Sequence, residues 1–161
     1  MSVAYVFWAE LPAADASFDS LTQLLADVLE DDAAGFAADL RYQQQKQPVQ
    51  AWLAFADNKP VACKLGYERK PGHYYSWLGG VLPEFRGQGL GAELMRRQHA
   101  WCAATGYHRI RTQTFNRWRA MLILNLRFGF DIIGTVQGGR GLTLVLEKNL
   151  KPAESGKTAA P

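Results

Sequence analysis

The sequence predicts one α/β domain: a mixed, mostly antiparallel central sheet of about seven strands flanked by about four helices. Three observations carry this reading. Hydrophobic spacing switches repeatedly along the chain between the two-residue repeat of strands and the 3.6-residue repeat of helices. The 161 residues are 48% hydrophobic and 20% charged, which suits a single core. A glycine cluster, Arg86-Gly87-Gln88-Gly89-Leu90-Gly91, stands at the head of a helical pattern.

The run Ala4 to Ala9 reads as a first strand ended by Pro12. Leu21, Leu24, Leu25, Val28 and Leu29 then recur at helical spacing, with Ser17 or Asp19 as the expected cap. A second helix follows from Ala33 to Gln47, where Pro48 restores an extended chain. The acids Asp27, Glu30, Asp31 and Asp32 read as a solvated face and helix-start charge, or as a rim that attracts amines.

Three strands come next: Trp52 to Ala56, Val61 to Tyr67 after the turn Asp57-Asn58-Lys59-Pro60, and the aromatic-rich His73 to Val81. After Gly89 the helical face Leu90, Leu94, Gln98 and Trp101 appears, with Glu93 and Arg97 spaced to pair and Gly106 as the stop. Ile110 to Thr114 alternates as a strand, and Arg117 to Phe128 forms a helix closed by Gly129. Phe130 to Val136 and Leu142 to Glu147 are joined through Gly138-Gly139-Arg140-Gly141. The domain is expected over residues 1–150, with 151–161 a disordered tail, because Pro, Ala, Gly, Ser and Lys alternate there without period.

The net charge of +3 is mild and scattered, which argues against nucleic acid as a partner while leaving room for a polyanionic ligand. Arg109 and Arg111 share a strand face and could extend a basic stripe with Arg117 and Arg119, or form a solvated edge. Cys63 and Cys102 stand in no metal-ligand or paired spacing, so they read as reduced packing residues, and no metal is expected. His99 and His108 likewise lack partner spacing. The apolar opening is cut by Glu10 and Pro12 and no stretch is long enough to span a bilayer, so a cytoplasmic protein without a membrane partner is expected.

Glycines before an amphipathic helix leave backbone N–H groups uncrowded at the positive end of the helix dipole, a cradle for a diphosphate. The P-loop and dinucleotide fingerprints both fail on spacing, since what stands here is R-x-x-G-x-G. A tight strand-to-helix turn would look alike.

Gly80-Val81-Leu82-Pro83-Glu84-Phe85-Arg86-Gly87-Gln88-Gly89-Leu90-Gly91-Ala92-Glu93-Leu94 resembles the central motif of the GNAT superfamily of N-acetyltransferases, in which a strand ends near valine and proline before R/Q-x-x-G-x-G/A and a long helix. The likeness covers Trp52 to Glu147. It implies a single GNAT-like domain whose fourth and fifth strands splay apart to admit acetyl-CoA or coenzyme A as cosubstrate. Gly79, Gly80 and Val81 would pair with the pantetheine arm, and Gly87, Gln88, Gly89, Leu90, Gly91 and Ala92 would hold the pyrophosphate. Arg86 would reach a phosphate or pair with Glu84.

The resemblance also implies direct attack by an amine, from a small molecule or a peptide, in a ternary complex. A main-chain N–H near Leu78 or Gly79 would polarise the acyl carbonyl. Asn125 takes the place of the family's tyrosine acid, and an amide cannot give up a proton at neutral pH. Asn116 stands two residues before the family's asparagine position, which Trp118 takes, and either binds the cofactor or caps the helix. Gln113 stands where some relatives carry a glutamate base. From the residues themselves, Glu68 and His73 are the candidate bases, or exposed turn residues. Tyr67, Tyr74, Tyr75 and Trp77 divide between core packing and an apolar acceptor pocket. The family pairs through sheet edges or carboxy-terminal strands, which leaves a homodimer open. With Asn125 and Gln113 untitratable, a non-catalytic CoA-binding sensor is the alternative to an enzyme.

Overall fold

The computed structural model describes residues 2–151, so nearly all of the expected tail lies outside the described residues. Seven strands form one sheet in the order β1-β2-β3-β4-β5-β7-β6. They are β1 (Val3–Trp8), β2 (Val49–Ala56), β3 (Lys59–Lys70), β4 (His73–Val81), β5 (Arg109–Phe115), β6 (Asp131–Gly138) and β7 (Gly141–Asn149). All neighbours are antiparallel except β4 and β5. The helices are α1 (Ala16–Leu29), α2 (Ala33–Lys46), α3 (Leu90–Thr105) and α4 (Arg119–Arg127), with a short 3-10 turn at Pro83–Phe85. The mixed sheet and four helices have the expected order. No helix among the described residues is long and apolar enough to cross a membrane.

Strand alternation separates two cores. Val49, Ala51 and Leu53 of β2 and Cys63 and Leu65 of β3 face α1 and α2, packing with Leu21, Leu25 and Leu40. Trp52, Ala54, Ala62 and Tyr74 face α3 and α4, packing with Leu94, Met95, Cys102 and Leu122. Both cysteines are buried free thiols. Burial pushes Cys63 up to about 12, so it stays a thiol.

Helix ends account for two departures. Asp15, not Ser17 or Asp19, caps α1, accepting from Phe18 N–H at 3.0 Å. The helix starts one residue after Asp15, which leaves Ser17 and Asp19 inside its first turn. Asn116 does not cap α4: the N-cap is Trp118, without a side-chain hydrogen bond, and Asn116 N–H instead donates to Leu142 C=O at 3.0 Å. Asp32 caps α2 through Ala34 and Gly35, so this acid serves the helix start. The hairpin turn falls on Asp57 and Asn58, both at positive φ, which leaves Lys59 and Pro60 in β3. The buried face of α3 is broader than the four residues read from spacing, adding Met95, His99 and Cys102, while Glu93 does bond Arg97 at 2.8 Å.

Gly66 is fixed by contact. A Cβ there would lie 2.4 Å from Tyr74 Cε1 and 2.6 Å from Tyr75 C=O, while Tyr74 is fully buried with its hydroxyl on Gln50 Oε1 at 3.1 Å. Gly66→Ala is expected to cost about 3 kcal/mol, the upper range for overpacking, as measured by urea unfolding. Wild-type stability in that variant would show that Tyr74 has room to shift.

Candidate active site

β4 and β5 pair only from His73↔Arg109 to Ser76↔Thr112. Beyond that point Trp77–Val81 of β4 and Gln113–Phe115 of β5 have no shared ladder, and the sheet opens. Thr112 Oγ1 closes the apex by donating to Ser76 C=O at 2.9 Å.

A bulge shapes the open arm of β4. The register with β3 shifts between Leu65↔Leu78 and Gly66↔Ser76, leaving Trp77 as the extra residue. Trp77 and Leu78 therefore both pack on the α1 side, and Gly79 and Val81 come to face α3. Leu82 N–H donates to Val61 C=O, and alternation along an antiparallel pair then turns Gly80 and Leu78 onto Cys63 and Leu65. The N–H and C=O groups of Gly79 and Val81 point into the opening. Of the two positions expected to supply a carbonyl-polarising N–H, Leu78 has its N–H in the β3 ladder, and Gly79 is the one that presents its N–H to the opening.

Neither glycine has room for a side chain. A Cβ on Gly80 would stand 3.0 Å from Val28 of α1, and one on Gly79 would stand 2.9 Å from Cys63 C=O. Close packing on both faces, against the β3 backbone at Gly79 and the Val28 side chain at Gly80, makes β4 thin where it opens.

The loop after β4 curls at Gly87 (φ 78°) and Gly89 (φ 80°), and Gly89 is the N-cap of α3. A Cβ at either would meet nothing within 4 Å, so the hollow in front of the helix is open. Buried Leu90 anchors the helix, while the first-turn N–H groups of Leu90, Gly91 and Ala92 point back toward the loop. Gln88 is exposed at the loop tip. Arg86 does not pair with Glu84: its Nε donates to Val81 C=O at 3.0 Å. Gly91 packs against Val81 and Leu124, bringing α4 next to α3.

On the α3 side of the opening Thr112 and Thr114 of β5 are buried, and Asn125 of α4 is a further buried polar residue. Thr114 Oγ1 is buried without a hydrogen-bond partner among the described residues. An orphaned hydroxyl, an open glycine hollow and unpaired strand backbone together fit an extended ligand ending in phosphates. Lys64, absent from the sequence-derived candidates, also lines this space. In the sequence it stands between Cys63 and Leu65 as the polar side of an alternating strand, which carries no signal of burial.

On the other face Tyr67, Tyr75 and Trp77 form a half-buried cluster, with ring centroids 5.5 Å and 5.4 Å from Tyr67. Burial pushes Tyr75 up to about 12. Tyr74 belongs instead to the core with Trp52, Trp101 and Tyr107. Gln113 is exposed on this face of β5. Across the mouth, Arg140 of the β6–β7 turn bonds Asp31 of the α1–α2 loop at 3.0 Å, linking the two arms of the opening.

Glu68 and His73 are not at the opening. Both sit at the paired end of the sheet, Glu68 opposite Tyr74 and His73 opposite Arg109. At about 3.3 Å per residue, His73 lies roughly 20 Å along β4 from Gly79. Glu68 stands beside Tyr107, whose hydroxyl is pushed up to about 12 by burial and then by that carboxylate. Arg109 and Arg111 form no free basic stripe, since both bond Glu147 at 3.0 Å and 2.9 Å. Burial alone would raise the Glu147 carboxyl, but the two guanidiniums hold it below its ordinary value.

No curated protein matches the chain in sequence. Solved structures share its fold. A ribosomal-protein alanine N-acetyltransferase from Escherichia coli superposes with a TM-score of 0.74 at 12% identity, covering 97% of this chain and 100% of that one. An IAA acetyltransferase from Bacillus cereus gives 0.71 at 15%, covering 92% and 100%. A GNAT family acetyltransferase from Elizabethkingia anophelis with acetyl-CoA bound gives 0.67 at 16%, covering 92% and 98%. The sequence profile of the Acetyltransferase (GNAT) family matches residues 18–130, from the first helix through the whole of the open site. With well over half its length matched, and with the splayed sheet and glycine loop that such a family needs, the chain belongs to the GNAT acetyltransferases.

Proposed function

We propose that this chain transfers an acetyl, or another short acyl, group from acetyl-CoA to a primary amine of a small molecule or a peptide, by direct attack in a ternary complex. The observation that carries the reading is the open, glycine-bearing arm of β4 beside an uncrowded positive-φ loop at the head of α3. Gly79 and Val81 would hold the pantetheine arm as a further strand, with Thr114 Oγ1 and the Asn125 amide as additional hydrogen-bonding groups. Gly87 to Ala92 would hold the pyrophosphate, with Arg86 released from Val81 to reach it. Asn116 lies on the β5 side of the same mouth. Bound there, acetyl-CoA supplies the activated thioester.

The chain's own groups then do two things. Gly79 N–H donates to the acyl oxygen as negative charge builds on it, the role of an oxyanion donor. The half-buried Tyr67, Tyr75 and Trp77 border the α1 side, where an apolar-edged amine would enter beneath the Asp31–Arg140 pair. Deprotonation of that amine is left to water, because Gln113 is not a base and Glu68 and His73 are distant.

A second reading, a CoA-binding sensor without turnover, is favoured by Asn125 and Gln113. Thiol release from acetyl-CoA across a panel of polyamines, aminoglycosides and peptide amino termini separates them. Amine-dependent release is expected; tight acetyl-CoA binding with no release across the panel would establish the sensor instead.

A further inference from the structure

Lys64 is a cation set in an apolar wall. It projects from β3 on the face turned to α3 and is only 9% exposed. Its paired residue is Gly79, and its side chain runs alongside that glycine: a Cβ on Gly79 would stand 3.5 Å from Lys64 Cγ, in ordinary contact. With Gly79, Val81, Met95, Met121 and Leu124 it encloses a cavity of about 20 Å³, room for about one water. No carboxylate pairs with it among the described residues. The stem is buried while Nζ keeps some contact with solvent; a largely desolvated ammonium without a counter-charge is costly, and methionine would fill the same volume without that cost.

Few charges face it. His99 on α3 and, beyond it, Lys148 on β7 are the nearby titratable groups. Cys63 points to the opposite core, and the β4 and α4 residues of the cavity wall are glycine, valine, methionine and leucine. Burial lowers Lys64 from 10.5 to about 8, so it is mainly protonated at neutral pH yet gives up its proton readily.

We propose that Lys64 is the proton donor to the leaving sulfur of the acyl donor, filling the role that Asn125 cannot. This rests on reading the opening beside Gly79 as the acyl-CoA slot. The acceptor nitrogen bonds to the acyl carbon and the carbon–sulfur bond breaks, its electron pair staying on sulfur. Nζ gives one proton to that sulfur, leaving a free thiol and a neutral lysine. The proton shed by the acceptor nitrogen passes to solvent, and solvent recharges Lys64. An acid whose pKa lies close to that of a thiol is matched to this transfer.

The test needs no acceptor. The thiolate ultraviolet band of CoA is titrated in complex with the wild-type chain and with Lys64→Met, while calorimetry measures CoA affinity in both. While Lys64 is charged, a cation within about 4–6 Å favours the thiolate and the two groups titrate as a coupled pair, so at pH 7, below the Lys64 value, the thiolate fraction is expected to be about tenfold that of the Lys64→Met complex. In the wild-type complex alone it should titrate below free CoA, which keeps the test independent of the variant's folding. A wild-type complex whose thiol titrates like free CoA overturns the proposal while leaving the slot intact. Failure of CoA to bind the wild-type chain overturns the slot and the proposal together.

Discussion

Gly89→Glu leaves the chain folded and weakens acetyl-CoA binding about a thousandfold. Gly89 is the N-cap of α3 at φ 80°, and a side chain there meets no protein atom. The left-handed backbone costs a non-glycine residue about 1–2 kcal/mol, partly offset because an acid at a helix N-terminus gains about 0.3–1 kcal/mol. The fold therefore bears the change. Binding does not, since the carboxylate occupies the hollow in front of the first-turn N–H groups. A like-charge contact at 4 Å under an effective dielectric near 20 costs about 4 kcal/mol, roughly a thousandfold. Gly89→Ala, which adds a methyl group but no charge, should lose far less. Calorimetry decides: equal affinity in wild type and Gly89→Glu would mean that the loop is only a turn.

Acidification from pH 7 to pH 4.5 should remove about 2 to 3 kcal/mol of stability through His99 alone, at 1.36 kcal/mol per pKa unit. His99 is 7% exposed, its ring set against Phe128 and Phe130, and its Nδ1 lies 3.1 Å from Lys148 Nζ. Lys148 can only donate, so Nδ1 accepts and Nε2 carries the hydrogen, without a partner among the described residues. Burial first, then the charges of Lys148 and Lys64, lower it from 6.5 to about 3. The folded ring thus stays neutral while the unfolded ring takes a proton below about 6.5. The unfolded state binds more protons between those values, so the contribution is complete above pH 6.5 and is lost as pH falls toward 3. Urea unfolding of wild type and His99→Leu across this range measures it. Parallel pH profiles in the two proteins would refute the assignment.

Much of the site was legible because its signals are local. Glycines at 87 and 89 before an amphipathic pattern state their own geometry, since only glycine takes the positive φ that frees the N–H groups at low cost. Glycine at both 79 and 80 likewise announces close backbone approach. Lys64 was not legible: between Cys63 and Leu65 it reads as the polar side of an alternating strand. It is buried only because α3 and α4 cover that face as well. The bulge at Trp77, which puts Trp77 and Leu78 on the same face of β4, has no turn residue to mark it. Glu68 and His73 looked close to the chemistry because they flank the aromatic strand, but which end of β4 opens depends on four pairings with β5, at residues 36 positions away.

The amino-acid sequence alone was enough for the number and order of the elements, the glycine hollow and the family. Periodicity, positive-φ glycines and helix stops act over a few residues, and their energetics do not wait for the fold. Only the tertiary structure decided that Glu68 and His73 lie at the closed end of β4, that Tyr74 belongs to the core while Tyr67, Tyr75 and Trp77 border the mouth, and that Lys64 and His99 are held far from their ordinary protonation. Those outcomes depend on register and on desolvation, and both are set by residues distant in the chain that meet only once the two cores have packed.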